Sequence, residues 1–143
     1  DLILPKFGNF KMFVYKNLID ETEHLAMVKG KIIRNKNILV RMHSINIISD
    51  ILDLENKDLE RSIDFISKNK CGVIVLVRNP KKEMKKKVTS TYKNKNKILK
   101  EYGVGAQILI DLGVKKITLL TKSSKNIVGI DGFGLEVNGT KKI

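Results

Sequence analysis

The feature that most constrains the fold is a continuous apolar run at residues 72–77, which reads GVIVLV. It has the length of a strand and contains no polar side chain that could alternate toward water. A strand of this kind is normally covered on both faces, as in sheets that helices flank on both sides. Apolar residues at helical spacing occur before it, at 56–69, and again at 98–112. Alternating strands and helices predict an α/β fold built on a mixed sheet.

The remaining elements follow from local patterns. Runs rich in β-branched and aromatic residues predict further strands, at 10–15, 25–28, 38–42, 116–120 and 135–137. Short connections join the first three, which are expected to form an antiparallel N-terminal unit before a βαβ-type C-terminal half with a right-handed crossover. Gly113 stands where a left-handed helix cap belongs, and a short helix is expected at 125–130. We expect residues 1–143 to form a single domain of this α/β (α+β) class.

The formal net charge of +13 raises the possibility of nucleic-acid binding. Only four of the 28 basic residues are arginine, however, and readers of bases and phosphates favour arginine's planar fork. Residues 81–100 contain nine lysines and one acid, Glu83, and like charges of this density indicate a solvated loop. Polyanion binding through this loop is therefore kept only as a minor hypothesis.

The sequence contains one cysteine, Cys71, so no internal disulfide can form, which fits the cytoplasm. Cys71 precedes the apolar run and is expected to pack as a small hydrophobic residue. No apolar stretch approaches the ~20 residues of a spanning helix, and no signal-peptide pattern is visible. Since Asp1 rather than methionine stands first, we expect that the chain was excised from a longer protein.

One possible site is visible from spacing alone. Thr121 ends a predicted strand, and Ser123, Ser124 and Lys125 follow it before the next predicted helix. Hydroxyls and backbone amides at the carboxyl end of a strand are where α/β sheets hold phosphate groups. Alternatively, Ser123 or Ser124 only caps the helix. Both interpretations stay open at this stage.

Four segments, in order, resemble the GTP cyclohydrolase II family. They read EHLAMVKG at 23–30, LVRMHS at 39–44, EYGVGAQILIDLGVKKITLLT at 101–121, and KNIVGIDGFGLEV at 125–137. The likeness is strongest to fused bacterial proteins that carry a dihydroxybutanone phosphate synthase domain first. The resemblance implies the family's fold, a place in riboflavin biosynthesis, GTP as the nucleotide, a homodimer, and a fused or associated synthase as partner.

Members of the family open the imidazole ring of GTP, release formate and cleave pyrophosphate with water activated by zinc, which three cysteines hold. The resemblance places Asn46 at the first ligand position, and the segment for the other two ligands is shortened. His43, Asp50, Asp53 and Glu55 are donors that can bind zinc, but Asp50 and Asp53 are more typical of a solvated turn. No zinc and no other cofactor is therefore expected.

The family's other reacting groups are also replaced. The resemblance places Ile98 at the catalytic aspartate and Lys100 at the arginine nucleophile. Isoleucine cannot transfer a proton, and lysine lacks the planar arginine geometry. Arg78 matches the arginine of a family motif that lies along the nucleotide, and the rest of that motif is replaced. Asn126 replaces a phosphate-binding lysine, with Lys125 beside it. We expect no catalytic residue in this chain.

Besides the minor hypothesis of polyanion binding, these observations leave three hypotheses. The first is an inactive domain that supports the assembly or stability of its synthase partner. The second is GTP binding without turnover, through residual contacts from Arg41, His43, Ser44, Thr121 and Lys125. Arg41 and His43 also have purely structural interpretations, as a strand-end charge and a half-buried, hydrogen-bonded imidazole. The third hypothesis is an active cyclohydrolase.

Overall fold

The computed structural model describes residues 2–45, 50, 57–79, 95–122 and 130–143. Within these residues, seven strands form one sheet and two helices flank it. The strands are β1 (Leu2–Leu4), β2 (Gly8–Lys16), β3 (Glu23–Lys29), β4 (Asn37–Ser44), β5 (Gly72–Val77), β6 (Lys116–Thr121) and β7 (Glu136–Lys142). The helices are α1 (Asp58–Ser67) and α2 (Lys95–Asp111), and a 3₁₀ turn spans Asp131–Phe133.

The sheet has the strand order β1-β2-β3-β5-β4-β6-β7. Strands β1, β2, β3 and β5 pair antiparallel, whereas β4 pairs parallel with β5 and β6, and β6 pairs parallel with β7. The predicted α/β class with a mixed sheet is therefore confirmed.

The predicted antiparallel unit of three strands is wrong for its third member, because β5 lies between β3 and β4. After β4 the chain passes through α1 and enters β5, which pairs parallel with β4. Parallel neighbours need a crossover connection of this kind.

Both faces of the sheet are covered, which explains the continuous apolar run of β5. Val73, Val75 and Val77 belong to the core on the α2 side, together with Ala106 and Leu109 of that helix. On the other side, Ile74 packs with Ile66 of α1, and both are fully buried. A strand with apolar side chains on both faces is most stable in the middle of a sheet, where each face is removed from water.

Several predicted boundaries need correction. Helix α2 begins at Lys95, so residues 95–100 are helical rather than part of a lysine loop, and residues 81–94 lie outside the described residues. Strand β7 begins one residue after the predicted start and continues to Lys142, because its polar sequence EVNGTKK lacks apolar alternation and pairs through its backbone. Strand β1 was not predicted. The short helix expected at 125–130 falls almost entirely outside the described residues.

Four described glycines have positive φ angles that L-residues rarely adopt, and Gly30 and Gly113 are two of them. Gly113 (φ +83°) ends α2 as predicted, and its N–H donates to the Ile110 carbonyl at 2.9 Å. Gly30 (φ +70°) follows β3, and a Cβ atom at this position would lie 2.1 Å from the Lys70 carbonyl oxygen. A Cβ atom at Gly113, by contrast, would have no neighbouring atom within 4 Å. Of these two positions, only Gly30 thus combines backbone strain with a steric overlap.

We predict that Gly30→Ala destabilises the domain more than Gly113→Ala does. The Gly113 variant is destabilised only by the left-handed backbone, by about 1–2 kcal/mol. The Gly30 variant must in addition displace the Lys70 backbone, for a loss of about 3 kcal/mol or more. Urea unfolding of the two variants measures the difference. Equal losses would contradict the close approach of residues 30 and 70.

Candidate functional site

The parallel strands bring their carboxyl ends to one edge of the sheet, which we call the carboxyl edge and define by Ser44, Val77 and Thr121. Ser44 is in register with Val77, and Val40 is in register with Leu119 two residues before Thr121. In open α/β sheets, ligands bind outside the carboxyl ends of parallel strands. The fold thus presents the predicted site residues of β4 and β6 where such a site is expected.

Arg41 is the most unusual side chain near this edge. Its Nη1 donates to the Leu120 carbonyl at 2.9 Å, and its strand partner on the other side is Ile74. Its Nε is buried and has no hydrogen-bond partner among the described residues. Burial lowers the pKa of Arg41, and the Coulombic influence of Tyr102 partly opposes this shift. A guanidinium that has an unused, buried N–H can donate a hydrogen bond to an anionic group of a ligand.

His43 is held by a carboxylate. Its Nε2 lies 3.1 Å from both carboxylate oxygens of Asp50, and the two side chains are 11% and 19% exposed. The interpretation of Asp50 as part of a solvated turn is therefore wrong, because this acid is mostly buried against the imidazole. Asp53 and Glu55 lie outside the described residues.

The predicted residues share an edge but not a face of the sheet. Strand alternation places Arg41 and His43 on the α1 side, and Ser44 and Thr121 on the α2 side. The Thr121 carbonyl accepts from the Ile143 N–H at 3.1 Å, and the adjacent Lys122 forms an ion pair with Asp58. A ligand that contacts all four predicted residues would have to extend around the strand ends.

The other predicted positions are less informative. Ile98 and Lys100 are in the first turns of α2. Five further positions lie outside the described residues: Asn46, Ser123, Ser124, Lys125 and Asn126.

One buried titratable residue near the edge escaped the sequence reasoning. His24, the second residue of β3, is 4% exposed, and its Nδ1 accepts the Arg78 N–H at 3.2 Å. Burial lowers the pKa of His24; nearby Asp20 opposes this shift and Arg78 adds to it. Its Nε2 is buried without a partner among the described residues. The sequence signal for this residue was a histidine at the start of an apolar strand. Its hydrogen bond to Arg78 could not be predicted, because it depends on the pairing of β3 with β5.

The donor atoms do not fit a zinc ion held by cysteines. Cys71 immediately precedes β5, so it lies at the edge opposite to His43. Among the residues that the structure describes, no group of three or more histidine, cysteine, aspartate or glutamate side chains could hold a metal ion. The His43–Asp50 pair supplies two donors, fewer than the three protein ligands of a typical catalytic zinc site.

The structure is an α/β domain with a mixed sheet, helices on both faces and polar residues at the ends of the parallel strands. The family model described as GTP cyclohydrolase II matches residues 2–142. The chain belongs to the GTP cyclohydrolase II family.

Curated relatives come from plants and bacteria. The monofunctional riboflavin biosynthesis protein RIBA 2, chloroplastic, of Arabidopsis thaliana is 36% identical over 93% of this chain and 31% of the relative. Riboflavin biosynthesis protein RibBA of Synechocystis sp. is 34% identical over 92% of the chain and 28% of the relative. RibBA of Aquifex aeolicus is 33% identical over 92% of the chain and 37% of the relative. The chain thus spans about a third of the length of these relatives. No helix in the described part of the chain is long and apolar enough to cross a membrane.

We predict that His24 makes the stability of the domain depend on pH. Because burial lowers its pKa below the ordinary value of 6.5, the unfolded chain binds a proton first as the pH falls. The free energy of unfolding should therefore be highest above that value and decline as the pH falls through the folded-state pKa. Urea unfolding at about pH 7.5 and about pH 5 tests this. His24→Gln should reduce the decline, and an unchanged decline in this variant would refute the assignment.

Proposed function

We propose that the chain is a riboflavin-biosynthesis domain that keeps the GTP cyclohydrolase II fold without catalysing turnover. In this proposal it acts in the cytoplasm, as a homodimer, and supports the assembly or stability of a dihydroxybutanone phosphate synthase that is fused to it or associates with it. The observation that carries the proposal is the position of Cys71. The one thiol of the chain lies at the sheet edge opposite to His43, so no thiolate is available at the carboxyl edge.

The chemistry of the family explains why this matters. Opening a purine ring by water requires a hydroxide at neutral pH, which zinc generates by lowering the pKa of bound water. Replacement of the acid-base position by Ile98 and of the nucleophile by Lys100 removes two further groups that the resemblance assigns to the reaction. We infer that the domain binds no zinc and contains no catalytic residue.

The size of the relatives supports a role beside another domain. The chain covers 28% to 37% of the plant and bacterial riboflavin biosynthesis proteins named above. Those proteins are long enough for a further domain, as in the fused proteins that the chain resembles. A non-catalytic domain next to an enzyme can increase its stability by burying apolar surface between them.

The proposal predicts that removing this domain from the native polypeptide lowers the melting temperature of the synthase or changes its assembly. Differential scanning calorimetry and light scattering on both forms test this, with synthase activity as a third measurement. The isolated chain should contain far less than one zinc ion per molecule. It should also release no formate from GTP when zinc is added to the assay. A synthase with unchanged melting, assembly and activity would contradict the supporting role, and stoichiometric zinc with ring-opened product would contradict inactivity.

A second candidate is GTP binding without turnover, and Arg41 favours it. Its guanidinium is half-buried near the strand ends, and the fold uses only part of its donor capacity. His43, Ser44 and Thr121 lie at the same edge, and Lys125 follows in sequence. Arginine pairs with phosphate groups through two parallel hydrogen bonds, which suits a triphosphate.

For this candidate we predict that GTP binds and that Arg41→Met weakens binding about tenfold, since a charge-assisted hydrogen bond contributes about 1.5 kcal/mol or more. Arg34→Met removes an exposed arginine before β4, at the opposite edge, and serves as the control. Isothermal titration calorimetry measures both dissociation constants. Absence of heat at millimolar GTP, together with no shift in melting temperature, would exclude this second function.

A further inference from the structure

The edge of the sheet opposite to the carboxyl edge carries a row of cations, which we call the basic edge. It is formed where β3 ends and where β5, β4 and β6 begin. The register aligns Lys29 with Gly72, Gly72 with Leu39, and Asn37 with Lys116. Neighbouring strands are about 4.8 Å apart, so the cations follow one another across four strands. The basic edge consists of Lys29, Lys31, Arg34, Lys36, Lys70, Lys115 and Lys116.

Most of these charges are uncompensated. No salt bridge joins Lys31, Arg34, Lys36, Lys70 or Lys115 to an acid within the part of the chain that the structure describes. All five are exposed.

The acids near this edge are already engaged. Glu136 pairs with Lys116 at 3.3 Å, and Asp111 accepts from Tyr15 at 2.8 Å. A concentration of exposed like charges opposes folding by mutual repulsion, so nothing in the fold itself explains it.

A shallow cavity of about 620 Å³ adjoins one end of the basic edge. Its apolar lining includes Phe13, Ile32 and Leu112, and Lys11 and Lys31 contribute to its wall. Phe13 is 38% exposed although it belongs to a strand. Gly30 also lines the cavity and packs against the Lys70 backbone, which makes the cavity continuous with the row of cations.

We propose that the basic edge and this cavity bind an acidic polypeptide segment. Carboxylates of the segment pair with the exposed lysines, and an apolar side chain enters the cavity beside Phe13 and Leu112. Charge complementarity brings the segment to the surface and sets its register, while the buried apolar side chain slows its dissociation. The site is separate from the carboxyl edge, so it does not depend on whether the domain binds GTP.

The surface fits a polypeptide better than a nucleic acid. Single-stranded nucleic acids require several aromatic faces on which successive bases stack. In the described residues of the basic edge there is no aromatic side chain, and Phe13 of the cavity stands at one end of the row. Six of its seven cations are lysines, which act as point charges, whereas recognition of phosphates and bases favours the arginine fork. Flexible lysines suit carboxylates whose spacing varies.

The test uses the whole chain and a fluorescent peptide in which glutamates flank two central leucines. Fluorescence anisotropy measures its binding to wild type and to K36E/K115E, which reverses two charges of the basic edge. K57E/K142E is the matched control, since both of its lysines are exposed and lie at the carboxyl-edge end of α1 and β7. Phe13→Ala tests the cavity against Met12→Ala, which removes an exposed side chain from the opposite face of β2.

We expect K36E/K115E to weaken peptide binding about tenfold or more and K57E/K142E to leave it within about twofold. Phe13→Ala, and replacement of the two leucines of the peptide by serines, should each weaken it several-fold, with Met12→Ala neutral. Circular dichroism melting verifies that each variant is folded. Absent binding at low salt, equal losses in both double variants, or tighter binding of an oligothymidylate than of the peptide would overturn the proposal.

Discussion

The architecture depends on the burial of β5. This strand is apolar on both faces, so it must be covered on both sides and paired along both edges. It meets these conditions by lying between the antiparallel β3 and the parallel β4. That one placement joins the antiparallel and parallel parts into one sheet, which has an apolar core cluster on each face. It also fixes the direction of every other strand, and hence which residues reach each edge.

The two edges differ in chemistry as a consequence. Strand ends bring Arg41, His43 and Thr121 to the carboxyl edge, where the donors are half-buried and partly engaged by the fold. Strand starts and turns bring uncompensated lysines to the basic edge, together with Cys71. Apart from Cys71, which packs against the core, these side chains lie outside the two apolar clusters of the core. The same sheet can therefore keep its fold while the donors at either edge change, which is why fold and activity must be argued separately.

Much of the fold was predictable because its signals are local. Strand 72–77, the end of α2 at Gly113 and the strands within β2, β3, β4 and β6 follow from apolar periodicity and backbone preferences. Pairing partners were not predictable, since β4 and β5 are separated by α1 and nothing local specifies their register. Strand β7 was predicted too short because it is polar and pairs through its backbone. The His43–Asp50 contact and the link from His24 to Arg78 depend on that same tertiary pairing.

The surroundings of Arg41 bear on whether the carboxyl edge has a role beyond the stability of the fold. Between Ile74 and the Leu120 backbone, an aliphatic side chain would fill the same space without the desolvation that lowers the pKa of the guanidinium. One hydrogen bond to a carbonyl, with Nε unpaired among the described residues, compensates that desolvation only in part. An anionic group at the strand ends would accept a hydrogen bond from this donor and offset part of the desolvation. This unused donor is the structural basis for the proposal that the carboxyl edge binds a negatively charged ligand.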